Sequence, residues 1–168
     1  MRPVSDIETR IDRIESRTAV GRLVAQYAHA FDSGDVDLLR TLWHTGAELR
    51  LGEPFGDFAG IDGIVEAAHL LWSQSPRMHH WMSNVVVDID DDGETARAVS
   101  ALDCLVTNVE TGPTQVGGIY RDRAARRDGR WAIVERVFEL HYFTPVSGWA
   151  PVHGSETTPL ADRGRAPS

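Results

Sequence analysis

The sequence predicts an α+β fold, in which three helices precede a run of antiparallel strands. Three observations predict it. Up to about residue 72 the apolar residues recur mostly at helical spacing, and from residue 78 to 143 the chain turns rich in Val, Ile, Thr and aromatics. That second half is cut by Asp-Asp-Asp-Gly, Glu-Thr-Gly-Pro and Arg-Asp-Gly, each a hairpin turn signal. With 168 residues, 42% of them hydrophobic, the chain suits one core rather than two.

Ile7, Ile11 and Ile14, then Val20, Leu23, Val24, Tyr27 and Phe31, set a helix over 7–31 that could break near Ser16. Asp32-Ser-Gly-Asp35 ends it, with Gly34 free to take a left-handed cap and Asp35 able to cap a short second helix carrying Leu38, Leu39, Leu42 and Trp43. A short strand over 47–51, a loop over 52–60 and a third helix over 61–72 follow. Strands are expected over 78–89, 95–107, 115–125 and 130–143, forming a meander whose curved sheet buries one face against the helices around a cone-like cavity. The domain is expected to span 1–154, with 155–168 as a flexible tail poor in apolar residues.

The formal charge is 17 minus 25, or -8, which disfavours nucleic acid or an anionic lipid surface as partner. All the basic residues are arginine, so no Schiff-base lysine, P-loop lysine or lysine base is available. Cys104 is the single cysteine, which excludes an intrachain disulfide and a cysteine-rich zinc site and suits a reducing cytoplasm. No apolar run approaches the roughly 18 residues of a membrane helix, and the polar, acidic start does not resemble a secretory signal. The expectation is a cytoplasmic protein with no membrane, metal or cofactor partner.

Several residues carry candidate chemistry. Asp88-Ile-Asp90-Asp-Asp92-Gly93 begins like a calcium loop, but Val99 stands where a bidentate glutamate is needed, so a hairpin turn is the better reading. His79 and His80 are neighbours on a strand, so they leave opposite faces and cannot readily share a metal. Alternation leaves open which of them faces the helices, and a bulge would invert the assignment beyond it. Asp32 is either a helix-end residue bonded to local backbone or a functional acid. Asp103 and Arg136 interrupt apolar strands, and either pair with each other or line a pocket. Tyr120 follows Gly117-Gly118-Ile119, where missing side chains would leave room for a ligand.

Asp32-Ser-Gly-Asp35 after a Tyr27-bearing helix, the His79-His80 strand, Gly117-Gly-Ile-Tyr120 and Arg127-Asp-Gly-Arg-Trp131 together resemble the SnoaL-like branch of the NTF2-like superfamily. With Tyr142-Phe-Thr-Pro145 and Gly148 added, the chain looks like the group of hexachlorocyclohexane dehydrochlorinase, scytalone dehydratase and bile acid 7α-dehydratase over about 7–154. The resemblance implies an NTF2-like (cystatin-like) cone and a histidine–aspartate dyad, here His80 and Asp32. It also puts polar groups at Tyr27 and Asp103, as in the dehydratases, and at Arg136, as in the dehydrochlorinase. The ketosteroid isomerase pattern lacks its acid, which would fall near Leu51, and the epoxide hydrolase pattern is met only in part by Asp103 and Arg136.

The function expected on this basis is a cofactor-independent lyase, a dehydratase before a dehydrohalogenase, acting on a cyclic apolar small molecule. His80 would be the base, Asp32 its orienting acid and Tyr27 a hydrogen-bond donor to a carbonyl or leaving oxygen. Asp103, Tyr120 and Arg136 would be further polar contacts in a pocket otherwise lined by Trp43, Met78, Met82 and Phe138. The alternatives are a polyketide-type cyclase or isomerase in the same pocket and a non-catalytic binding or assembly module. A homo-oligomer is expected, a trimer before a dimer, through an outer sheet face with Trp131 and Ile133 or Val134 and Phe138. The segment 145–154, with Trp149, is expected to close over the mouth as a lid.

Overall fold

The structure, a computed structural model, describes residues 4–148, with side chains from Asp6 onward. The helices are α1 (Val4–Ser33), α2 (Val36–Thr41) and α3 (Gly60–Gln74). The strands are β1 (Trp43–Arg50), β2 (Asp57–Ala59), β3 (Arg77–Ile89), β4 (Thr95–Asn108), β5 (Gly112–Arg127) and β6 (Arg130–Pro145). They form one curved, unclosed sheet in the order β2-β1-β6-β5-β4-β3. The α+β architecture is the one expected. Among the described residues no helix is long and apolar enough to cross a membrane.

The long strands form the expected antiparallel meander. Its turns use the polar residues that the sequence singles out. Asp90 and Asp92 accept hydrogen bonds from Thr95, so the would-be calcium loop is a hairpin turn. Asp128 and Gly129 both hold positive φ, as a two-residue hairpin matching the twist of β5 and β6 requires. The meander is not the whole sheet, because β1 runs parallel to β6. A parallel partner so distant in sequence leaves no turn signal to read.

The first helix differs from expectation in two ways. It is unbroken at Ser16, which is buried, and it reaches Ser33, so Asp32 lies in its last turn. Its N-terminal isoleucines, Ile7, Ile11 and Ile14, are exposed, and packing begins at Val20, where α1 crosses β3. Asp35 caps α2 as expected, its Oδ1 accepting the Leu38 N–H at 2.8 Å, but α2 stops at Thr41 and Trp43 opens β1.

Two constraints shape the inner face of the sheet. The first is a bulge in β3 between Ser83 and Val86, where Asn84 takes φ 51°. Before it Met78, His80 and Met82 face inward; beyond it Val87 and Ile89 do. The second is a buried ion pair. Arg136 on β6 stands opposite Asp122 on β5, with Nε and Nη2 donating to the two carboxylate oxygens at 2.7 and 2.6 Å. Burial works against the Arg136 cation, but the Asp122 carboxylate outweighs it and holds the guanidinium protonated.

The pairing of Arg136 with Asp103, one of the two alternatives left open by the sequence, is replaced by pairing with Asp122. Trp131, Ile133 and Phe138, offered as an outer face for oligomer contacts, are instead buried within the chain. The room expected at Gly117-Gly118 is filled by the protein itself. A Cβ on Gly118 would run into the Glu139 carbonyl and lie 2.7 Å from the Phe138 ring, and one on Gly117 would meet Tyr142 at 3.1 Å.

Gly118→Ala should lower stability by about 3 kcal/mol in urea denaturation, since backbone oxygen cannot yield as a side chain can. Asp122→Ala, which leaves a buried guanidinium without its counter-charge, should cost about 3–5 kcal/mol in the same measurement. A loss below 1 kcal/mol, about the effect of an ordinary surface change, would remove either assignment.

Candidate functional site

The site begins at the end of α1. A carboxylate in the last turn of a helix faces the negative end of the helix dipole, and no basic residue accompanies Asp32 there. Local capping does not hold it, because its oxygens reach across to β3. The His80 backbone N–H donates to Oδ1 and Oδ2 at 3.2 and 3.0 Å, and His80 Nδ1 lies 2.6 Å from Oδ1. A carboxylate only accepts, so Nδ1 carries the proton in this pair. In the neutral ring Nε2 is then the basic nitrogen, and it has no hydrogen-bond partner among the described residues. His80 is the inward histidine, with 8% of its side chain exposed, while His79 is exposed and meets Trp81 edge-on outside.

Aromatic rings fix the surroundings of the imidazole. Tyr27, one and a half turns before Asp32 on α1, lies edge-on to His80 at 6.3 Å between ring centres, and Phe31 lies 5.9 Å from it. Tyr27 also meets Tyr120 at 5.7 Å. Beneath both, the Arg136 guanidinium carbon stands 4.0 Å from the Tyr27 ring centre and 4.5 Å from that of Tyr120. Such a desolvated cation–π contact is worth about 2 kcal/mol. Burial pushes the Tyr27 and Tyr120 hydroxyls up from the ordinary phenol value, against the lowering by Arg136, so both stay protonated at neutral pH.

These groups border a cavity of about 310 Å³ between the helices and the sheet. Tyr27, His80, Tyr120, Met78 and Phe138, all singled out in the sequence, line it. Other expected lining residues do not. Asp103 is exposed on the far face of the sheet, because alternation turns its neighbours Leu102 and Cys104 inward. Trp43 is buried in the core against Tyr27, Met82 packs on the core, and Arg136 is covered by the two tyrosines.

Sequence reasoning missed several contributors. Asp122 had a signal, since it shares a strand face with Tyr120 two residues before it. Phe55 and Phe143 meet over the cavity at 5.7 Å, and Leu51, Leu71, Val106 and Val116 complete much of the apolar wall. Cys104 also lines it, its thiol pushed up to about 12 by burial and by the Asp32 charge, which leaves it unreactive as a nucleophile. Of the expected lid, Trp149 and the residues after it lie outside the described residues, as does the tail. Among the described residues no three His, Cys, Asp or Glu side chains gather as a metal site would need.

The architecture and the sequence have known counterparts. The crystal structure of LinA superimposes with a TM-score of 0.79 at 26% identity, covering 85% of this chain and 99% of that one. A type 2 LinA, a hexachlorocyclohexane dehydrochlorinase, gives 0.79 at 25% identity, covering 84% and 97%. A candidate scytalone dehydratase from Novosphingobium aromaticivorans shares the fold, with a TM-score of 0.70 at 20% identity over 89% and 99% of the two chains. None of the curated proteins matches the sequence significantly. Residues 12–137 match the SnoaL-like domain, and the chain belongs to that family.

Proposed function

We infer that the protein is a lyase that needs no cofactor and removes water, or a halide, from a cyclic apolar small molecule. The observation that carries this reading is the 2.6 Å contact of His80 Nδ1 with Asp32, which leaves Nε2 basic on the wall of an apolar cavity. A base in reach of a bound carbon acid is the first requirement of elimination. The similarity to a dehydrochlorinase supports the reaction class.

In this reading Nε2 takes a proton from a carbon next to an activating group. The C–H electron pair becomes the new double bond, and the bond to the leaving oxygen or halogen breaks. Asp32 keeps the imidazole in the right tautomer and steadies the imidazolium that forms. Tyr27 and Tyr120, held neutral by burial, donate hydrogen bonds to a carbonyl or to the departing oxygen. Arg136 acts through the tyrosines, fixing their planes from beneath. The same groups would serve an isomerase or cyclase, which would give a product of unchanged mass.

The expected assembly is a homo-oligomer, a trimer in the first instance. Exposed Trp81 and Tyr142, which flank Asp103 and Gly117 along one row of the outer sheet face, are the surface that would be covered. A single-chain mass in light scattering would remove that expectation.

Incubation with a panel of cyclic β-hydroxy ketones should yield a product lighter by one water. His80→Ala should lower that turnover by about 10²- to 10⁴-fold. Asp32→Asn should lower kcat more than it raises KM, because the support of the base is lost rather than the binding surface. Full turnover by His80→Ala would overturn the assignment.

A further inference from the structure

The cavity has a second polar end that the acid–base reading does not use. Where α3 ends, the Val109 N–H donates to the Gln74 carbonyl at 2.8 Å, tying the helix to the turn between β4 and β5. This brings Ser75, Asn108 and Thr114 onto the cavity wall together with Gln74. Ser75 is 8% exposed, and its hydroxyl has no hydrogen-bond partner among the described residues. Thr114 is 2% exposed, and its hydroxyl donates only a long 3.4 Å bond to the Gly112 carbonyl. Asn108 spends its Oδ1 on the N–H groups of Glu110 and Thr111, which leaves its amide donors free.

Strand register sets this end apart from His80. His80 pairs with Cys104, and Thr114 pairs with Val106, two residues further along β4; Asn108 lies two beyond that. At strand rise the two steps are roughly 7 and 13 Å from the His80 row. A hydroxyl on a cavity wall without a protein partner is open to a hydrogen bond with a bound group. Among the described residues no Asp, Glu or Arg side chain lines the cavity, and the C-terminal end of α3 disfavours an anion.

We propose that Ser75 and Thr114, with Asn108, form a subsite for an uncharged hydroxyl or carbonyl group at the end of a fused-ring ligand remote from His80. The proposal rests on the lyase reading only in taking the His80 end as the reacting end. The ligand class follows: a molecule about two rings long, apolar along its flanks, with a neutral oxygen at each end.

The test is calorimetric binding of three probes to the full chain: 2-naphthol, naphthalene-2,6-diol and 6-hydroxy-2-naphthoate. The wild type should bind the diol about five- to tenfold more tightly than 2-naphthol, the scale of one added hydrogen bond. Ser75→Ala combined with Thr114→Val should erase that preference and leave 2-naphthol affinity within about twofold, the uncertainty of an ordinary apolar contact. The naphthoate should bind more weakly than the diol. If the double variant fails to fold, Ser75→Ala alone carries the test with the same signs.

No diol preference in the wild type, a preference that survives the substitutions, tighter binding of the naphthoate, or no binding of either naphthol up to its solubility limit would each overturn the subsite. His80→Ala separates this from the lyase reading. It should lower turnover as stated above while the diol preference persists, and a wild type that shows the preference but no turnover overturns only the lyase. Turnover that depends on His80 without a preference overturns only the subsite.

Discussion

A guanidinium with no exposed surface is the constraint around which the inner face of this sheet is arranged. Taking Arg136 out of water is costly, and the cost is offset only if a counter-charge meets it inside, since Nη1 has no hydrogen-bond partner among the described residues. Asp122 on the neighbouring strand meets the charge with two parallel bonds, which fixes the register of β5 and β6 at that row. Tyr27 and Tyr120 cover the rest of the cation with their ring faces. The orientation of the tyrosines is therefore a by-product of burying the arginine. Since Tyr27 sits on α1, the same contact draws the helix onto the sheet and brings Asp32 within reach of His80.

The charges in the interior are consequently segregated. One ion pair lies under the aromatic floor, one carboxylate–imidazole pair sits at the helix end, and the cavity between is walled by neutral groups. In such a place a proton taken by His80 adds a charge that Asp32 is already in position to balance. The tyrosines, unable to ionise near neutral pH, add hydrogen bonds without adding charge. Neutral amides and hydroxyls at the opposite end keep the whole cavity free of a competing field.

Much of the fold was legible because its signals are local. Helical spacing at Val20–Phe31, the Asp35 cap and the three polar turns each act within a few residues. The pairing of Asp32, Tyr27 and His80 needed more, since periodicity left the choice between His79 and His80 open and only family resemblance favoured His80. The bulge at Asn84 explains that difficulty: Val87 and Ile89 face inward with a parity opposite to that of His80, so alternation counted from the core end of β3 selects the wrong histidine. Asp103 misled for a related reason. A charge in an apolar strand suggested burial, but both faces of this stretch are apolar and the residue simply lies on the outer one. The partner of Arg136 and the parallel place of β1 depend on contacts distant in sequence, which carry no local mark.

β3 is the last strand of an unclosed sheet, so one row of its backbone N–H groups has no neighbouring strand to receive them. An open row of that kind invites another chain to add itself and starts edge-to-edge aggregation. At His80 the row is closed by the side chain of Asp32, which accepts the backbone N–H as well as the ring. On the proposed function one carboxylate thus serves both the pocket and the sheet edge: a chain that lost this acid would leave the His80 backbone N–H open at the edge in the same step as it lost the partner of the imidazole.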